Sequence, residues 1–100
     1  MATYRPLDAW SLLGDPSRRL ILQVLTAVPS SVGDLARVLP ISRPAVSQHL
    51  KVLHDAGLVR HRAQGTRRIY SVDTRELSRQ RTQLDRFWRE TLSDLDHASA

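Results

Sequence analysis

The stretch Ile41-Ser-Arg-Pro-Ala-Val-Ser-Gln-His-Leu-Lys-Val-Leu53 decides how this chain is read. Ser42 is a helix N-cap, and Pro44 sits in the first turn, where a missing N–H is tolerated. At about 100° per residue, Val46, Leu50 and Leu53 share one face of a helix over Arg43 to Ala56. That face has to be buried. Pro44, Ser47, Gln48 and Lys51 lie opposite on a polar face whose only acid, Asp55, comes at the far end. Alone, this is also what any solvated surface helix presents, so the flanking segments carry the decision.

Upstream, Leu7 to Leu13 predicts a short first helix with Leu7, Trp10 and Leu12 or Leu13 on one side, stopped by Gly14. Asp15-Pro16 starts a second helix that runs to about Ala27 and is closed by Pro29. Its apolar stripe reads as Leu20, Ile21, Val24, Leu25 and Val28. Ser31 starts a third helix with Asp34 at the capping-box position. Val32, Leu35, Val38 and Leu39 are expected to face inward, and Pro40 ends it. Only Pro40 and Ile41 separate it from Ser42, so two short helices meet in the tight turn of a helix-turn-helix unit.

Downstream, Gly57 reads as the C-cap of the helix that follows Ser42. The period then changes. Leu58 to Arg62 and Arg67 to Val72 read as two strands joined by Gln64-Gly65-Thr66, a wing. Asp73 and Glu76 start a long last helix over about 74–95, with fraying expected from His97 onward. Leu77, Leu84, Phe87, Trp88, Thr91, Leu92 and Leu95 form a narrow apolar stripe along it. That width suits a helix-helix seam with a second copy of the chain better than a helix enclosed in a core. The expected architecture is mainly α with one β-hairpin, α-α-α-α-β-β-α, in a single domain over 1–100 that dimerises through its first and last helices.

Charge placement supports the wing. The chain carries a net +5. From Ser42 to Tyr70 there are six basic residues against the single acid Asp55, and the remaining chain balances. A basic block of this kind is the footprint of a polyanion-binding face. Arg60, Arg62, Arg67 and Arg68 on the ribbon then reach a nucleic-acid backbone or minor groove beside the helix. Residues near the N-terminus of a helix laid in a major groove reach deepest, which selects Arg43, Pro44, Ser47 and Gln48 for base contact. Gln48 suits adenine, Lys51 a phosphate or base acceptor, and Pro44 a thymine methyl. The full candidate set for double-stranded DNA is Ser42, Arg43, Pro44, Ser47, Gln48, His49, Lys51, Arg62, Gln64, Thr66, Arg67 and Arg68. His49 reads as partly buried on the flank of the apolar face, His54 and His61 as isolated and solvent-facing. Arg18 and Arg19 fit phosphate contact and solvated surface equally.

Other classes find less support. There are no cysteines, which excludes disulfides, thiolate metal sites and thiol redox switches. No signal segment is visible and the longest apolar run is three residues, so the expected location is cytoplasmic and no membrane is involved. No paired carboxylates, Ser-His-acid spacing or phosphate-cradling glycine loop points to an enzyme. No cofactor is expected. A winged module that binds another protein through its basic face stays open on the residues alone.

The segments Leu13-Gly-Asp-Pro-Ser-Arg-Arg19, Val32-Gly-Asp-Leu-Ala36, Ile41 to Leu53 and Gln64-Gly-Thr-Arg-Arg-Ile-Tyr70 resemble the ArsR family of bacterial repressors, and the likeness runs from about Leu7 to Leu95. It implies a transcriptional repressor that binds an imperfect inverted repeat as a homodimer, often at its own promoter. It also implies a dimer interface from the first and last helices, here Leu7, Trp10, Leu84, Phe87, Trp88, Leu92 and Leu95. Many members of that family release DNA on binding metal through cysteines in the third helix or an Asp and His set in the last. Here the third helix has no cysteine, and the last offers only Asp94, Asp96 and His97, without a second histidine. The chain therefore looks like the metal-independent members, with metal-responsive repression the alternative. No small-molecule effector is identified by these residues.

Overall fold

The computed structural model describes residues 9–98, with side-chain surroundings for 12–97. Its elements are α1 (Ala9–Gly14), α2 (Pro16–Ala27), α3 (Val32–Val38), α4 (Arg43–Asp55), β1 (Val59–Gln64), β2 (Arg67–Val72) and α5 (Thr74–Ala98). Leu7 lies outside the described residues, as does the side chain of Trp10.

The core is built where the helical stripes meet. Ile21, Leu22 and Leu25 of α2, Leu35 of α3 and Val46, Leu50 and Leu53 of α4 are buried together with Leu12, Leu58, Val59 and Tyr70. Leu22, which the stripe expected for α2 leaves out, is inside. Leu20 and Val28 are exposed, because the three-helix packing selects a face rotated by about one residue. On α3, Val38 is 66 % exposed. The helix has only seven residues, and its inward face is completed by Val32, Ala36 and Leu39.

Caps set the element boundaries. Asp15 accepts from the N–H groups of Ser17 and Arg18 at 2.8 and 3.1 Å, which starts α2. Ser31 and Asp34 form a reciprocal capping box at α3, each contact 3.1 Å. At the end of α4, Gly57 takes a positive φ of 81°. Its N–H reaches His54 O and that of Leu58 reaches Leu53 O, both at 2.9 Å, a Schellman ending that only glycine adopts without strain. Asp73 caps α5 through Glu76 N at 3.0 Å. Glu76 does not complete a capping box. Its carboxylate takes Arg79 and Gln80, while the N–H of Asp73 goes to Leu58 O.

The hairpin pairs antiparallel from Val59↔Val72 to Gln64↔Arg67, so β1 extends two residues beyond the expected Arg62 and the turn shortens to Gly65-Thr66. Ser30 bridges Tyr70 with bonds of 3.0 and 2.8 Å, which ties β2 to the segment entering α3. α5 is longer than expected: it stays helical through Ala98, past the point where fraying was expected, and His97 Nδ1 lies 2.8 Å from Ser93 O. The α5 stripe divides. Leu77 packs on the protomer's own core and Leu84 is half-buried, whereas Phe87, Trp88, Leu92 and Leu95 are 47, 45, 56 and 57 % exposed.

Candidate nucleic-acid interface

Complete burial of Val46, Leu50 and Leu53 fixes the rotation of α4. Arg43, Pro44, Ser47, Gln48 and Lys51 therefore face outward, all exposed, as the period required. Ser42 starts the helix, its hydroxyl accepting from Ala45 N at 3.3 Å. Lys51 pairs with Asp55 at 3.1 Å one turn on, so the acid lies within reach of the reading face rather than beyond it.

Between α3, α4 and the wing lies an open groove of about 910 Å³. Arg37, Arg43, Lys51, Arg67 and Arg68 line it, and among the described residues no carboxylate does. Ser47 and Thr66 add hydroxyls. Of the expected DNA-contacting residues, the groove gathers Arg43, Ser47, Lys51, Thr66, Arg67 and Arg68. Ser42, Pro44, Gln48, Arg62 and Gln64 are exposed outside it. His49 is half-buried and lies within electrostatic reach of Asp15 at the start of α2. Arg18 is largely buried beside the same aspartate, at 3.8 Å, and Arg19 is exposed.

The ribbon's arginines do not act as one set. Residues opposite each other across the ladder share a face. Arg60 and Arg62 stand opposite Ser71 and Ile69, whereas Arg68 stands opposite Ala63 on the other face, with His61 and Tyr70. Arg60 donates to Asp73 twice. Arg67 Nη2 bonds Ser31 Oγ at 2.9 Å and Asp34 Oδ2 at 2.7 Å. Arg43, Arg62 and Arg68 have no ion-pair partner among the described residues. The sequence period, which pools all four ribbon arginines, does not see the two acids that claim Arg60 and Arg67 from other elements.

Two histidines read as isolated are neighbours. The His54 and His61 rings stack with centroids 4.7 Å apart, and His61 meets Tyr70 edge-on at 5.4 Å. Partial desolvation, then the charges of Arg68 and His54, push the His61 imidazole below its ordinary value. The carboxylates at the caps move down as well. Asp34 is lowered first by the Ser31 backbone N–H, then by the Ser31 hydroxyl, Arg67 and Arg37, and Asp73 by the Glu76 backbone N–H and Arg60. Arg37 and both histidines escape the sequence reading because neighbours distant in sequence place them in the groove. Asp94 and Asp96 are exposed, and no group of three metal-ligating side chains occurs among the described residues.

A tight α3–α4 turn, an outward-facing second helix and a basic hairpin beside it define a winged helix-turn-helix DNA-binding fold. The family model for bacterial regulatory proteins of the arsR family matches residues 15–61. The chain is 55 % identical over 94 residues to the HTH-type transcriptional regulator Rv2034 of Mycobacterium tuberculosis, covering 93 % of this chain and 88 % of the relative. It is 33 % identical over 67 residues to the transcriptional repressor SdpR of Bacillus subtilis, covering 67 % and 74 %. The crystal structure of a "Possible transcriptional regulator for arsenical resistance" superposes with a TM-score of 0.78 at 41 % identity, covering 94 % of this chain and 97 % of that one. The chain belongs to the arsR family and is a DNA-binding transcriptional regulator. No helix among the described residues is long and apolar enough to cross a membrane.

Proposed function

We propose that the protein is a homodimeric repressor that places α4 of each protomer in the major groove of one half of an inverted-repeat operator, its own promoter among its targets. The observation that carries this is the groove joining α4 to the wing, lined by Arg37, Arg43, Lys51, Arg67 and Arg68, which outnumber the two acids, Asp34 and Asp55, that pair with three of them. Arg43, Pro44, Ser47 and Gln48 read bases from the outward face of α4, and Lys51 and Arg68 meet phosphates. The exposed half of the α5 stripe supports the dimer, since Phe87, Trp88, Leu92 and Leu95 would otherwise leave a row of apolar side chains in water.

The test is binding of the purified protein to a labelled fragment of its gene's upstream region, with recovery of bound genomic fragments to define the operator. Nanomolar binding is expected, falling steeply with salt as phosphate contacts release counterions. Transcription from the bound promoter should fall when the protein is added. Equal affinity for random DNA, or no effect on transcription, would overturn the reading.

A further inference from the structure

We propose that Asp34 clamps the wing to the helix-turn-helix unit through Arg67, making Arg67 a positioning residue for DNA binding and not one of its phosphate contacts. The inference rests on the DNA-binding reading above and concerns how that site is held together.

A two-stranded hairpin has little stability or fixed direction of its own, so its orientation comes from its attachments. β2 has two attachments to the segment entering α3. One is the Ser30–Tyr70 backbone bridge. The other is the Arg67 guanidinium, three residues along the strand, on Ser31 Oγ and Asp34 Oδ2. The base of the wing is also held by Val59 and Tyr70 in the core and by Arg60 on Asp73, so Arg67, about 10 Å further along the strand beside the turn, fixes the angle of its outer half.

The acceptors are themselves held. Ser31 is buried, and its hydroxyl and N–H are engaged by the capping box. Asp34 takes the Ser31 N–H on one oxygen and Arg37 on the other. Little side-chain freedom remains for Arg67 to freeze out when it joins them. Asp34 is also a carboxylate at the margin of the DNA-facing surface, as Asp55 is beside Lys51, and there it opposes phosphate binding. Its pairing with Arg67 offsets that cost. Arg68, on the other face of the ribbon, then presents the wing's charge from within the groove, and Arg62, like it without an ion-pair partner among the described residues, lies outside the groove.

The experiment measures affinity and its salt dependence on a duplex that the wild-type protein selects from a random pool, for Asp34→Asn, Arg67→Ala, Arg67→Lys and the double variant. Asparagine keeps, on one oxygen, an acceptor for both the Ser31 N–H and Arg67, so it removes the charge that holds the pair, and thermal melts confirm that the fold is retained. Simple electrostatics predicts tighter binding when a carboxylate leaves a DNA-facing margin. The clamp predicts the reverse, a loss of up to about fivefold, the scale of a partly exposed ion pair. Arg67→Ala should lose a similar factor with an unchanged salt slope, Arg67→Lys should recover part of it, and the double variant should be no worse than either single one. Wing amides should exchange faster in Asp34→Asn. Tighter binding by Asp34→Asn, or a salt slope lowered by about one in Arg67→Ala, overturns the clamp alone. If the wild-type protein selects no duplex, the DNA-binding reading itself fails.

Discussion

Arg60 reaches across the base of the wing to Asp73, its Nε and Nη2 both donating to one carboxylate oxygen at 3.0 and 2.7 Å. The other oxygen of Asp73 accepts from Glu76 N and starts α5. One side chain thus ties the first strand of the wing to the helix that follows the second.

Asp73→Ala removes both attachments, and Arg60→Ala removes only one. Thermal unfolding should show a clearly larger drop in Tm for Asp73→Ala, because cap loss is added to loss of a pair whose arginine is 76 % exposed. Since Asp73 already neutralises Arg60, the Arg60 variant should also keep the wild-type salt slope for DNA. Equal melting shifts in the two variants would show that the cap contributes nothing.

The helical skeleton was legible because its signals are local: Asp15-Pro16, Ser31 with Asp34, Ser42 and Gly57 each mark a boundary within a few residues. The face of α4 was legible too, since thirteen residues give the 3.6 period room to show. The seven residues of α3 do not, and a period that short leaves Val38, which is exposed, indistinguishable from an inward position. The site was legible as a charge block but not as an arrangement. Arg67 and Asp34 are 33 residues apart, Arg60 and Asp73 thirteen, and no periodicity announces such pairs. The same holds for His54 and His61, which meet only because the Gly57 turn folds the wing back over the end of α4.

Gln48 and Arg68 should separate base reading from backbone attraction. Gln48 is exposed on the reading face, so Gln48→Ala should cost roughly 1–3 kcal/mol on the preferred operator and little on random DNA. Arg68 is open to the groove, and Arg68→Ala should weaken both alike and lower the salt slope by about one. Titrations of operator and random duplexes at several salt concentrations check this. A sequence-selective loss in the Arg68 variant would place that arginine on a base.

A pH dependence of both stability and binding is expected from His61. His54 faces it from α4 and Arg68 and Tyr70 from β2, and desolvation, with the charges of Arg68 and His54, favours its neutral form. Below the ordinary histidine value of 6.5 the unfolded chain therefore takes up the proton first. Stability present above that pH is lost as pH falls through the folded value. DNA phosphates have the opposite preference, since they favour the imidazolium. Operator affinity at constant ionic strength should rise as pH falls from about 8 to about 5, while Tm of the free protein declines. His61→Asn should flatten both profiles. Unchanged slopes in that variant would assign the dependence to another group.

The two halves of the α5 stripe should respond differently to substitution. Leu77 packs on the core of its own protomer, so Leu77→Ala should lower Tm without changing oligomeric state. Leu92 is 56 % exposed in the protomer, so Leu92→Glu should leave the fold intact while placing a charge in the proposed seam. Sedimentation velocity should then show a species of half the wild-type mass. Affinity for a complete inverted repeat should collapse toward that for a single half-site, because the two α4 helices no longer bind as one unit. Half-site affinity itself should stay at the wild-type protomer's level, since the groove between α3, α4 and the wing does not involve Leu92. A Leu92→Glu protein that remains dimeric and binds the full repeat normally would move the interface away from this stripe.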